Sequence, residues 1–178
     1  MVHRPLEGRL VRLRAREPAD EELAYRYFND PRVTEYLAVR YPFSHQQERD
    51  ALSLPARYLG AHFAIETLEE RRFLGTCSLE VAFPENRRAE LGIVIGDPDY
   101  WDGGYGTDAV RTLCRFGFEE MNLHRIELEA FAQNARARHV YERLGFVVEG
   151  ARRDGWYQAG HYQDMVLMGL LEGELRLE

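Results

Sequence analysis

The sequence contains no lysine: all 23 of its basic residues are arginine. The simplest source of that bias is the base composition of the gene, but it leaves every basic side chain a guanidinium that stays protonated. Cysteine is nearly as scarce, with Cys77 and Cys114 far apart and in no C-x-x-C pattern. Two isolated thiols make neither a disulfide framework nor a metal clip, and buried thiols are expected instead. The histidines, at 3, 45, 62, 124, 139 and 161, form no H-x-x-x-H pair, so no metal is expected. No apolar run approaches the roughly 20 residues that cross a bilayer, and the opening MVHRPLEGRL has no apolar signal core. The expectation is a soluble, cytoplasmic protein with no membrane partner. A surplus of bases is missing too: 30 acids against 23 arginines give a net charge of -7, which disfavours a nucleic-acid surface and suits a cationic substrate.

What is present is globular: 178 residues, 45% apolar and 30% charged, a length that fits a single domain over residues 1–178. Residues 8–15, GRLVRLRA, alternate like a half-buried strand. Pro18 opens a helix that runs to Phe28, a short helical piece follows around residues 32–37, and Ser44 with Gln47 forms a capping box for a helix that Pro55 ends. Residues 61–67 and 73–83 read as a hairpin and residues 88–95 as a further strand. Apolar positions from Thr107 to Met121 recur at helical spacing. Residues 125–131 alternate again, 135–144 form a helix stopped by Gly145, and 146–157 with 161–171 make a terminal hairpin. This order predicts a mixed sheet with helices on its faces.

Between strand 88–95 and the following helix stands YWDGGYGTDAV, in which Gly104, Gly106 and Ala109 spell G-x-G-x-x-A. Such a turn is built for phosphate, because consecutive backbone N–H groups and the helix dipole converge on an anion. A dinucleotide domain is the first suspect, with Glu127 and Glu129 near the expected ribose offset. The order of elements argues against it: residues 96–102 separate the strand from the glycines, and only 47 residues follow residue 131, too few for a second mononucleotide half. Glu127 and Glu129 are then alternating residues of one strand face. A calcium loop through Asp97, Asp99 and Asp102 fails in register, so these acids are expected to serve turns and caps.

A second pattern decides between phosphate ligands: Asn134-x-x-Ala137-x-x-x-Tyr141-x-x-x-Gly145-Phe146. Together with AELGIVIGDPDYWDGGYGTDAV, LHRIEL, NARARHVYERLGFVVEG and HYQDMVLMGLL it resembles the GNAT superfamily of acetyl-CoA-dependent N-acetyltransferases. Within that superfamily it is similar to the branch of Rim-type ribosomal-protein alanine and serine N-terminal acetyltransferases and spermidine acetyltransferases. The resemblance covers nearly the whole chain. It implies an α/β (α+β) fold, a mixed twisted sheet of about seven strands flanked by about four helices. It implies transfer of an acetyl group from acetyl-CoA, without a metal, directly to a primary amine, either a protein N-terminal α-amine or a small amine such as a polyamine. The alternative is a non-catalytic acyl-CoA-binding or sensing module. Homodimers through the terminal strands are a habit of the family.

Carried over by position, Asp102, Gly103, Gly104, Tyr105, Gly106 and Thr107 cradle the coenzyme diphosphate. Val94, Ile95 and Gly96 hold the pantetheine arm as a pseudo-strand, Asn134 fixes the coenzyme near the thioester, and Arg136 neutralises phosphate, as Arg138 would beside it. Tyr141 matches the tyrosine that protonates the departing thiolate, and Glu90, on the strand leading to the coenzyme, is the candidate base. Trp156, Tyr157, His161, Tyr162, Tyr36 and Tyr41 are candidates for an acceptor groove. Two departures stand out. Trp101 replaces the Gln or Arg that opens the general GNAT turn, though tryptophan is usual in this branch. Asp102-Gly103 replaces glycine followed by a basic residue, which puts a carboxylate in the loop and removes a cation from it.

Overall fold

In the computed structural model, which describes residues 6–52 and 60–177, the alternating segments form one eight-stranded sheet. The strands are β1 (Leu6–Glu7), β2 (Val11–Arg14), β3 (Gly60–Thr67), β4 (Phe73–Glu80), β5 (Arg88–Ile95), β6 (Arg125–Phe131), β7 (Val147–Gln158) and β8 (His161–Leu171), in the order β1-β2-β3-β4-β5-β6-β8-β7. Helices α1 (Glu21–Phe28), α2 (Pro31–Thr34) and α3 (His45–Leu52) precede β3; α4 (Tyr105–Glu119) joins β5 to β6, and α5 (Ala135–Leu144) joins β6 to β7. The expected capping box is present at α3, where Ser44 Oγ accepts from the Gln47 N–H at 3.2 Å and Gln47 Oε1 from the Ser44 N–H at 2.9 Å. The stop expected at Pro55 lies outside the described residues. None of the described helices is long and apolar enough to cross a membrane.

Strand alternation sorts side chains onto two faces. Ala89 and Leu91 of β5, Ile126 and Leu128 of β6, Cys77 and Leu79 of β4 and Met168 and Leu170 of β8 share one core with Val110, Leu113 and Cys114 of α4 and Tyr141 and Leu144 of α5. Gly117 lets α4 press close to the sheet, since a Cβ there would stand 2.9 Å from Leu79 Cδ1 and 3.1 Å from Ile126 Cδ1. On the opposite face α1 packs a smaller cluster of Ala24 and Tyr27 against Ala64 and Phe73. The two thiols are buried and free, and burial raises both above the ordinary cysteine range.

The feature that positions the site is where strand pairing stops. β4 and β5 pair antiparallel from Glu80↔Glu90 to Gly75↔Ile95. β5 and β6 run parallel, as their connection through α4 requires, but pair only at Arg88↔Arg125, Ala89↔Ile126 and Glu90↔Glu127. Beyond Glu90 the two strands diverge, while β6 stays paired to β8 as far as Phe131↔Met165. A wedge thus opens in mid-sheet, with α4 and α5 beginning at its mouth.

Candidate active site

The edge of β5 that faces the wedge follows from the register. The Gly96 N–H donates to Leu74 O at 2.7 Å. In an antiparallel ladder bonded and non-bonded pairs alternate, so Val94 and Gly92 likewise direct their backbone groups to β4, whereas Ile95, Ile93 and Leu91 direct theirs toward β6. Of the three residues expected to hold a pantetheine arm, Ile95 therefore faces the wedge and Val94 and Gly96 bond to β4; Ile93, which the motif did not single out, joins Ile95. The Ile95 carbonyl accepts from Trp101 Nε1 at 2.8 Å. Gly96 is needed for packing, because a Cβ there would fall 2.2 Å from the Tyr27 ring.

At the mouth of the wedge, α4 begins without a side-chain cap: its N-cap is Gly104 at φ 87°, a left-handed position that suits glycine. The first helical bond is Asp108 N–H to Gly104 O at 3.0 Å. From Asp102 to Thr107 no backbone N–H finds an acceptor among the described residues. Consecutive unpaired amides at a helix N-terminus are donors waiting for an anion. Gly106 fits that reading, since a Cβ there would meet only Ile95 Cγ1 at an ordinary 3.6 Å, so the protein's own packing does not demand glycine. The residues present thus fit a diphosphate in the cradle and an extended arm along Ile93 and Ile95.

Of the acids in this turn, Asp97 serves a cap, accepting from the Asp99 N–H at 3.2 Å, and is buried against Arg72 at 2.6 Å. Asp102 caps nothing. It sits at φ 60°, exposed, and its carboxylate has no hydrogen-bond partner among the described residues.

At the start of α5, Asn134 Oδ1 accepts from the Ala137 N–H at 3.1 Å, so the side chain caps the helix and retains its amide NH2 for other use. Arg136 lies over the Trp101 ring, its Cζ 4.2 Å from the centroid. That cation–π contact ties the glycine-rich turn to α5 across the wedge mouth. Arg138 turns elsewhere, donating to Ala132 O at 3.2 Å.

Tyr141 is buried, edge-on to Phe146 at 5.7 Å, on the core face of the sheet. Burial, and next the nearby Cys114, push its phenol up to about 12. Glu90 occupies the other face, as the neighbour in sequence of core residues Ala89 and Leu91. Register places Glu80, Glu90 and Glu127 side by side on three adjacent strands, with Glu129 two residues further along β6. Like charges at opposed positions repel. Glu127 is relieved by Arg125 at 2.9 Å and Arg88 at 3.3 Å, Glu129 by Arg152, and Glu80 by His62 at 3.3 Å when that ring is protonated. Glu90, in the middle, makes no ion pair among the described residues. Partial burial, then Glu129 and Glu127, raise its carboxyl above the ordinary range.

The aromatic candidates divide. Tyr36 and Trp156 both reach Phe131 at the far end of β6, with centroids 6.2 and 6.4 Å away, and Arg40 covers Trp156 at 5.1 Å. Tyr157 and Tyr162 lie tilted against each other, centroids 4.9 Å apart, and are exposed, as are Tyr41 and His161.

Comparison with known proteins settles the family. Residues 10–147 match the model of the acetyltransferase (GNAT) domain. The chain belongs to the GNAT family. It is an acetyl-CoA-dependent N-acetyltransferase. An uncharacterized N-acetyltransferase of Bacillus licheniformis, p20, is 32% identical over 91% of this chain and 93% of its own. A putative ribosomal N-acetyltransferase of Bacillus subtilis is 39% identical over 56% of this chain and 54% of its own. Among solved structures, the spermidine N-acetyltransferase of Vibrio cholerae in complex with CoA and spermine superposes with a TM-score of 0.83 at 24% identity, covering 92% of this chain and 96% of that one. The expected fold is therefore shown, with eight strands where about seven were anticipated because the two-residue β1 extends the edge.

Three residues of the candidate site stand outside the sequence expectations. Ile93 needed the β4–β5 register. In sequence Trp101 stands out only as a departure from the general turn, though an indole N–H six residues from a strand end is a donor in search of an acceptor. Glu127 reads in sequence only as a strand residue, yet Glu90 and Glu127 are each the third residue of strands joined by one crossover, a hint that parallel pairing would align them.

Proposed function

We propose that this enzyme acetylates a cationic primary amine delivered to the wedge from the face that carries Glu90. The observation that carries this reading is the row Glu80–Glu90–Glu127, whose central carboxylate has no cation within ion-pair distance among the described residues. An ammonium group docking beside Glu90 supplies that cation and must then lose a proton before it can attack. Acetyl-CoA supplies the acyl group as a thioester. Glu90, whose raised carboxyl makes it a better proton acceptor than an ordinary glutamate, takes the proton directly or through water.

Tyr141 stands on the face of the sheet opposite Glu90. With its phenol near 12 it remains protonated at neutral pH. Full transfer to a thiolate whose thiol ionises near ~8.5 runs uphill. Its role is therefore to donate a hydrogen bond to the departing sulfur. The N–H groups of Ile93 and Ile95 are the backbone donors that would align the arm and polarise the acyl oxygen.

The test is thiol release from acetyl-CoA with a panel of polyamines, small primary amines and peptides with free N-termini, for the wild type and Glu90→Gln. The expected result is turnover with at least one cationic amine and a loss of about 10²-fold or more in the variant at neutral pH. Turnover confined to uncharged amines, or a variant as active as the wild type at every pH, would remove this assignment.

A further inference from the structure

A cationic cleft borders the N-terminus of α4. Arg9, Arg111 and Arg143 line it together with Gly104, Thr107 and Asp108, in a volume of about 290 Å³. Its charge is unbalanced. Asp108 is the one carboxylate, and its Oδ2 is already held by the Leu10 and Val11 N–H groups at 2.8 and 3.1 Å while Oδ1 meets Arg111 at 3.3 Å. Arg111 leaves its Nε buried without a hydrogen-bond partner among the described residues. Arg9 and Arg143, on the β1–β2 turn and on α5, make no ion pair among those residues although the chain carries 30 acids. Three guanidiniums converging from three elements on one cleft form a site for a doubly charged oxyanion, which guanidinium groups bind in paired hydrogen bonds.

Gly104 and Thr107 belong both to this cleft and to the amide cradle, so an anion here lies within one helical turn of a diphosphate there. The cradle itself carries Asp102 and no cation, so charge compensation has to come from outside the loop. We propose that Arg9, Arg111 and Arg143 bind the ribose 3′-phosphate of coenzyme A. This rests on the coenzyme being held at the cradle. The cleft falls just short of the ~300–1,000 Å³ that encloses a whole ligand, and a phosphate with part of its sugar is what it suits.

Calorimetric titration with acetyl-CoA and with acetyl-3′-dephospho-CoA tests the assignment. The wild type should bind the phosphorylated compound about tenfold or more tightly at low ionic strength, a preference that shrinks as salt rises. Arg143→Gln and Arg9→Gln, both at exposed side chains, should lose most of that preference while binding the dephospho compound as the wild type does. Equal affinity of the wild type for the two compounds would overturn the site, as would variants that keep the full preference. Failure of both compounds to bind the wild type would strike the coenzyme cradle, and this subsite with it.

Discussion

Asp102 offers a sharp test of the cradle, because its side chain has no structural work. Replacing it with asparagine removes the charge, keeps the shape and keeps a residue that tolerates φ 60°. A carboxylate at the edge of six unpaired amides repels a diphosphate docked on them. For exposed charges the interaction lies near the water limit, about 1 kcal/mol per charge pair at 4 Å and less at longer range. A diphosphate presents two charges, so Asp102→Asn should tighten acetyl-CoA binding about three- to tenfold at low salt, and the gain should fade toward 1 M salt, where the Debye length is about 3 Å. Asp102→Gly should do the same and also raise the melting temperature. Relief of the left-handed strain, about 1–2 kcal/mol, exceeds the entropic cost of glycine, about 0.5–1 kcal/mol. In a chain of this size the balance corresponds to roughly 1–4 °C. Titration calorimetry at two ionic strengths and a thermal melt provide both readouts. Unchanged or weaker binding in Asp102→Asn would show that the diphosphate does not lie on these amides, whatever the family motif implies.

Three further outcomes follow from the same geometry. Because the Glu90 carboxyl is raised, kcat/KM should climb as pH rises through a value above the ordinary 4.5, and Glu90→Gln should abolish that limb without lowering the melting temperature, since it removes a carboxylate from among carboxylates. Tyr141→Phe should reduce turnover about 10- to 100-fold with acetyl-CoA affinity unchanged by calorimetry; lost affinity at normal turnover would reassign the ring to packing. Leu113→Ala, at a side chain with 0% exposure between α4 and the sheet, should cost about 3–5 kcal/mol in denaturant unfolding, and a loss below ~1 kcal/mol would contradict the packing described here.

Most elements were legible from alternation and helical spacing: β5, β6 and α5 occupy the residues read for them, because each has one buried face and a clear stop such as Gly145 at φ 107°. The wedge was not legible. Whether two parallel strands pair for three residues or for seven depends on what α4 and α5 impose at their ends, a long-range effect with no local signature. The same limit applies to the expected arm contacts. Sequence placed them at Val94–Gly96 by motif, but which backbone groups face outward is a parity question that only the β4–β5 register answers. Asp102 reverses the pattern, since the sequence posed a choice between capping and opposing phosphate and the empty cap at Gly104 removes the first option.

The absence of lysine acquires a consequence once the arginines are located. Arg136 stands over Trp101 at the wedge mouth, where the coenzyme would enter, while Arg9, Arg111 and Arg143 line the separate cleft beside the N-terminus of α4. A lysine at position 136 would still be a cation, but whenever it lost its proton it would also be a primary amine on the path of an activated acyl group. Guanidinium ionises above ~12 and stays protonated, so these side chains do not compete with the acceptor. The prediction is that prolonged incubation with a large excess of acetyl-CoA leaves the protein active, with at most one acetyl adduct on an amine, at the chain terminus, by intact mass spectrometry. Introducing lysine at position 136, over Trp101, should keep coenzyme binding and add an adduct that peptide mapping places at that residue, accumulating faster at pH 9 than at pH 7 as the amine deprotonates. If Arg136→Lys remained unmodified under both conditions, position 136 would lie beyond reach of the thioester, and its arginine would be there for the indole alone.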